Sequence, residues 1–140
     1  MPVKKKSVKS DKEILKYSEL KVQDFVIILK FNSSIEDIEE NIRSSELIIQ
    51  NIHDILDKNP KKNFKFLIDL TAVGKMKNMP SQSRKNYAEF AKNKRIKKVA
   101  VAGGDMVTRT ITNFIVNLTG RKNAYKWFDD IKLALEWLKK

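Results

Sequence analysis

Residues 64–70 read FKFLIDL. Five of these seven side chains are large and apolar, a run too continuous for a strand with one wet face and suited to a central strand covered on both sides. The chain after it repeats the arrangement. VAVA at 99–102 and AYKWF at 124–128 are further strand-like runs, and each is followed by apolar residues at helical spacing. Asp105, after the turn made by Gly103 and Gly104, can cap a helix whose predicted inner face is Val107, Ile111, Phe114, Ile115 and Leu118 and which Thr119 and Gly120 close. Asp129 or Asp130 can cap a last helix on Ile131, Ala134, Leu135 and Leu138. Between the first two runs, Pro80 introduces a helix from Ser81 to about Asn93 that carries Tyr87, Ala88, Phe90 and Ala91.

Working back from residue 64, Asn59 and Pro60 end a long helix with one apolar stripe, Ile35, Ile38, Ile42, Ile49, Ile52 and Leu56. Its predicted caps lie in NSS at 32–34, with Asp37 three residues beyond Ser34. Before it, FVIILKF at 25–31 and the loosely alternating ILKYSELKV at 14–22 read as a hairpin. The predicted order is ββαβαβαβα, an α/β domain with a mixed, mostly parallel sheet and helices on its faces. Residues 1–11 are expected to be a disordered basic tail and 12–140 a single domain.

Composition narrows the chemistry. The chain has no cysteine and one histidine, His53, which excludes thiolate catalysis and disulfides and speaks against histidine-built metal sites and a serine-histidine triad. No run approaches the roughly 20 apolar residues of a membrane span, and the lysines of the first ten residues precede no apolar core, so a cytoplasmic protein is expected. His53, beside Ile52, reads as a structural residue, and Trp127, Phe128 and Trp137 read as core.

The net charge is +12, and of the 29 basic residues only Arg43, Arg84, Arg95, Arg109 and Arg121 are arginines. The lysines spread through 1–10, KNPKK at 58–62, KNKRIKK at 92–98, GRK at 120–122 and the terminal Lys139 and Lys140, mostly at turns and helix ends where the dipole favours a cation. Codon composition rich in A and T produces the same lysine bias. Nucleic acid or an anionic membrane is therefore the alternative partner, through the tail and the lysine-rich surface.

FLIDLTAV at 66–73, NYAEFAKNKRIKKVAVAGG at 86–104, TNFIVNLTGRKN at 112–123 and WFDDIKLALEWL at 127–138 together resemble the SpoIIAA-like family of the STAS superfamily, over about Asp11 to the carboxyl end. The resemblance implies a compact α/β domain that binds protein partners or small ligands, without catalysis and without a cofactor. In the wider superfamily, anti-sigma-factor antagonists carry a phosphorylated serine in a DSSG-like motif after the central strand. Here that position falls near Lys77 to Pro80, with no serine before Ser81 and Ser83, so the phosphorylation switch does not carry over with the fold.

In a parallel sheet, ligands bind beyond the carboxyl ends of the strands. Two loops qualify. One holds Asp69, Thr71, Ser81 and Ser83, and the other holds Gly103, Gly104, Asp105, Thr108 and Arg109. They read as a site for an acidic or phosphorylated partner, or a small anionic or hydrophobic ligand, and equally as turn glycines, a capping aspartate and a strand end. Met76 and Met79 lie in a loop with no evident core duty and are candidates for partner contact. A hydrolytic pair of Asp69 and Asp105 is the enzymatic alternative, and magnesium has too few carboxylates nearby. No catalytic or metal-ligating residue is assigned, and a homodimer is compatible with an exposed sheet edge.

Overall fold

Strand β3 (Phe64–Asp69) is the middle strand of five in the computed structural model, which describes residues 9–75 and 79–140. The sheet order follows the chain: β1 (Ser18–Gln23), β2 (Val26–Phe31), β3, β4 (Ile96–Ala102) and β5 (Tyr125–Phe128). Only β1 is antiparallel to its neighbour, with Leu20 opposite Leu29, while the other pairs are parallel, with Ile28 beside Leu67, Leu67 beside Ala100, and Val101 beside Trp127. Crossovers of one hand between neighbouring parallel strands place every connecting helix on one face. That face carries α2 (Ile38–Lys58), α3 (Ser81–Ala91) and α4 (Met106–Thr119). The last helix, α5 (Ile131–Lys139), lies on the other.

The faces pack differently. Beneath α5, Ala100, Ala102 and Ala134 are completely buried, and their small side chains let helix and sheet lie close. Beneath α2 and α3, Leu29, Ile52, Phe66, Phe90 and Val101 hold the layers apart. The α2–α3 contact itself is polar. Ser83 donates to Asn41 at 2.7 Å, and Asn86 donates to Ser45 at 2.9 Å, so the buried hydroxyls have partners.

Several expected boundaries shift. Ser10 caps a helical turn, α1 (Asp11–Ile14), which continues as a 3-10 turn to Tyr17, so the first strand starts only at Ser18 and the expected tail is too long at its end, since residues 10 and 11 are ordered. Arg43 fixes this turn by a two-pronged bond to Asp11 at 2.8 and 2.9 Å, because the guanidinium fork matches a carboxylate. The remainder of the tail, residues 1–8, lies outside the described residues. Helix α2 is capped by Asp37, not within NSS, which leaves Ile35 before the helix and Ile38 64% exposed. The buried stripe is instead Ser45, Ile48, Ile52 and Leu56, which keeps the helical period through small polar residues. In α4, Ile111 and Val116 face inward with Thr108, while Val107, Phe114 and Leu118 face solvent; this helix is apolar on both sides, so periodicity does not identify its inner face.

Arginines close the helix ends. A helix leaves its last carbonyls without donors. Arg95 donates to Leu56 at 3.0 Å, to Lys62 at 2.9 Å and to Asn59, gathering the end of α2, and Arg121 donates to Ala91 at 2.9 Å, to Asn93 at 2.8 Å and to Ile96, gathering the end of α3. At the opposite end of the sheet, Leu70 donates its amide to Ala102 at 2.8 Å, and Gly103 sits so near Thr71 that an added Cβ would meet its backbone nitrogen at 2.7 Å. With φ of 83°, Gly103 also holds a conformation that side chains resist.

Replacing Arg121 with alanine is expected to cost about 2–3 kcal/mol, because buried carbonyls lose a charged donor, and lysine should restore less than half, because it lacks the fork; urea titration of the three proteins measures both. Gly103→Ala should cost about 2–4 kcal/mol in the same titration, through backbone strain and the clash with Thr71.

Candidate functional site

The fold brings the two sequence-predicted loops side by side, joined by the Gly103–Thr71 contact. Within them, most of the candidate residues hold the loops together. Asp69, 5% exposed, accepts from the Thr71 amide at 2.9 Å and from its hydroxyl at 2.6 Å. Asp105 accepts from the amide of Thr108 at 3.0 Å and its hydroxyl at 2.9 Å, so it caps α4 as the sequence suggests. The two loops use the same device: an aspartate ending or following a strand, closed by a threonine two or three residues on. Ser83 is buried against Asn41, whereas Ser81 is exposed at the first position of α3. Gly104 packs against Thr108, and Met76 lies outside the described residues.

The side chains these loops leave exposed continue onto α4. Arg109 stacks over the Trp127 ring at 3.6 Å from its centre, and Arg84 stands 5.3 Å over Phe114. The Trp127 indole nitrogen is buried without a hydrogen-bond partner among the described residues. Met106, Val107, Phe114 and Leu118 lie on the solvent side of α4, with Phe114 49% exposed. This stripe was hidden in the sequence because its residues look like core.

The sequence also gives no sign of the cavity below. Between the sheet and α2, α3 and α4 lies an apolar space of about 130 Å³, walled by Leu29, Phe66, Ile68, Ile111, Ile115 and Tyr125. Its lining reaches the candidate loops at Met79 and Thr108, and the β2–α2 connection at Ser33 and Ser34. Met79 therefore has a duty after all, as part of the wall. Tyr87 also lines the space, and burial pushes its phenol well above the ordinary value. The Tyr125 phenol is pushed up to about 12 by burial, opposed by the Arg121 charge, and donates to Ala91 at 3.0 Å. A single hydroxyl or two in an apolar chamber can orient a ligand.

Among the described residues, no three carboxylates or histidines come together as metal ligands, and no helix is long and apolar enough to cross a membrane. His53 lies edge-on to Phe90, with ring centres 5.3 Å apart, on the exposed side of α2.

Comparisons with known proteins agree with this architecture. An uncharacterized protein of the DUF3478 family with a SpoIIAA-like fold, from Shewanella loihica PV-4, superposes with a TM-score of 0.59 at 18% identity, covering 86% of this chain and 91% of that one. An anti-sigma factor antagonist from Mycobacterium paratuberculosis superposes with a TM-score of 0.56 at 18% identity, covering 88% and 93%. The fold is thus SpoIIAA-like, as the sequence resemblance implies. No curated protein sequence matches the chain. Residues 35–140, which hold every element from α2 to α5 and both candidate loops, match one family model, and the chain belongs to that family, described as a domain of unknown function, DUF7793.

Proposed function

We propose that the chain is a non-enzymatic, cytoplasmic regulatory domain that binds a small apolar ligand beneath its loop-helix face. The observation that carries this reading is the cavity of about 130 Å³ between the sheet and α2–α4. Left empty, a space of that size costs about 3 kcal/mol relative to a filled core. Its walls suit an apolar body, and Ser33, Ser34 and Thr108 offer hydroxyls at the loop side for a polar end. An engineered apolar cavity of roughly this volume takes a single aromatic ring, so a short acyl chain or one ring is the fitting class. Asp69 and Asp105 support this reading by what they already do, since each carboxylate is occupied by its own threonine.

A second reading, binding of a protein partner, rests on the exposed apolar stripe of α4, and one of the structural neighbours is an anti-sigma factor antagonist. Here the partner surface is Val107, Phe114 and Leu118 with Met106 and Arg109 at its end. A second copy of the chain is the alternative occupant.

Octanoate, added to protein purified without detergent, is expected to raise the thermal midpoint, and native mass spectrometry should show one molecule bound. Ile115→Phe, which fills part of the chamber, should raise the midpoint of the free protein and weaken octanoate at least about tenfold. Unchanged octanoate affinity in that variant would remove the cavity as the site. For the second reading, a photoreactive phenylalanine analogue at position 114, introduced in the protein's own cells, should give one discrete crosslinked species that is lost with Leu118→Glu. Equal crosslinking from position 132, on α5, would show that the stripe is not selective.

A further inference from the structure

Basic segments that the sequence spreads over 80 residues meet at one end of the molecule. The links α2–β3, α3–β4 and α4–β5 and the carboxyl end of α5 all lie at the amino ends of the parallel strands. Direct bonds establish that they touch. Arg95 ties the start of β4 to Leu56 and Lys62, and Arg121 ties the α4–β5 link to Ala91 and Asn93. Lys98 donates to Trp137 at 3.2 Å and Lys65 donates to Leu138, which anchors the end of α5 at the same place. The β1–β2 turn joins them, since Phe25 lies 5.7 Å from Phe64, ring centre to ring centre, and the Lys62 ammonium stands 5.7 Å over the Phe25 ring.

These contacts occupy Arg95, Arg121, Lys65 and Lys98, and Lys92 pairs with Glu89 at 3.1 Å. The lysines at 58–62, 94–97, 122 and 139–140 are exposed and make no ion pair among the described residues. The carboxylates in the same region are Asp24, Asp57, Glu89 and Glu136, too few to balance them. Helix dipoles explain a cation at each helix end, and the charged donors that close α2, α3 and α5 already meet that need. The surplus faces outward around a protruding apolar tip. Phe25 is 49% exposed and Val22 45% exposed. Phe25 and Asp24 both have positive φ, 63° and 52°, in a two-residue turn where glycine or asparagine is the comfortable choice, so a bulky ring stands there against its backbone preference.

We infer that this end of the molecule docks on an anionic lipid bilayer, with the lysines on the head groups and Phe25 entering the interface. The chemistry favours a bilayer over a nucleic acid. The guanidinium forks that read phosphates and bases are turned inward onto carbonyls, the outward cations are lysine point charges, and the exposed ring is a single apolar wedge whose ring neighbour, Phe64, is buried, with no second exposed aromatic beside it among the described residues.

The test is sedimentation of the full chain with vesicles of phosphatidylcholine alone or with about three parts in ten phosphatidylglycerol, at about 0.05 and 0.3 M salt. Binding to the anionic vesicles alone, released at the higher salt, is expected. The double variant Lys61→Glu, Lys94→Glu should bind at least about tenfold more weakly, whereas Lys85→Glu, Lys132→Glu, with equal charge change toward the other end of the sheet, should lose less than about threefold. Phe25→Gly should bind several-fold more weakly while its thermal midpoint rises, since the strain in the turn is relieved; that separates lost docking from lost folding. Absence of binding to the anionic vesicles overturns the proposal. So do equal losses in the two double variants, which would leave only net charge or the amino-terminal lysines as the cause. Tighter binding to a single-stranded oligonucleotide than to the vesicles, weakened by Phe25→Gly, assigns this end to nucleic acid instead.

Discussion

Parallel strands joined by helices impose one constraint from which much of this molecule follows: α2 to α5 each run against the strand they follow, so their carboxyl termini arrive at the same end of the sheet. Four sets of orphan carbonyls and four negative dipole ends converge there. The chain meets this with donors that come from neighbouring elements. Arg95, at the start of β4, closes α2; Arg121, before β5, closes α3; and Lys65 and Lys98, within the strands, reach the end of α5. Each cation thereby ties two elements that are distant in sequence. These bonds set the order and spacing of the helices as firmly as the apolar core does, since a carbonyl buried without its donor is costly.

The opposite end obeys a different requirement. There the strands finish and the chain must turn quickly into the next helix, and the two central loops use aspartate and threonine to do so. The closeness of Gly103 to Thr71 leaves no room for a third side chain between these loops. What opens instead lies below them. Large residues on β2, β3 and β4 hold three helices off the sheet, while alanines let α5 settle on the other face. The cavity is a consequence of that asymmetry. A sheet cannot bend toward three separate helices at once, and the polar α2–α3 seam of Asn41, Ser45, Ser83 and Asn86 fixes those two helices to each other before either can sink further.

The element order was legible because the strands are unusually apolar and the caps are explicit: Asp105 and Asp130 cap the helices expected of them, and Asn59 and Gly120 end theirs. Family resemblance and residue pattern agreed on the same α/β order. What the sequence concealed was which side of a helix faces in. In α2 the inner face runs through Ser44 and Ser45, and Ser45 is satisfied by Asn86 of α3, a partner that local pattern cannot reveal. In α4 the apolar residues occupy both sides, so Phe114 and Leu118 read as core until neighbouring helices are placed. The candidate loops were found by topology, but the individual residues proved to be mostly mutual partners. Lysine clustering was the clearest case of hidden order, because segments at 58–62, 92–98 and 120–122 look scattered along the chain and become neighbours only through the repeated βα connection.

The two binding modes proposed for the opposite ends of the sheet make different physical demands. Long-range attraction needs many unneutralised charges and little fixed geometry, which is what lysines beyond the helix ends supply. Capture of a small apolar molecule, as proposed, needs a shaped apolar space, and the stand-off of α2–α4 leaves one of about 130 Å³. The two demands conflict if placed together, because charges beside an apolar chamber would draw water into it and cost desolvation. The hydroxyls open to a ligand's polar end, on Ser33, Ser34 and Thr108, lie toward the carboxyl ends of the strands, and the helix dipoles fix which end takes the cations. The phenol of Tyr87, which lines the chamber, is raised by burial.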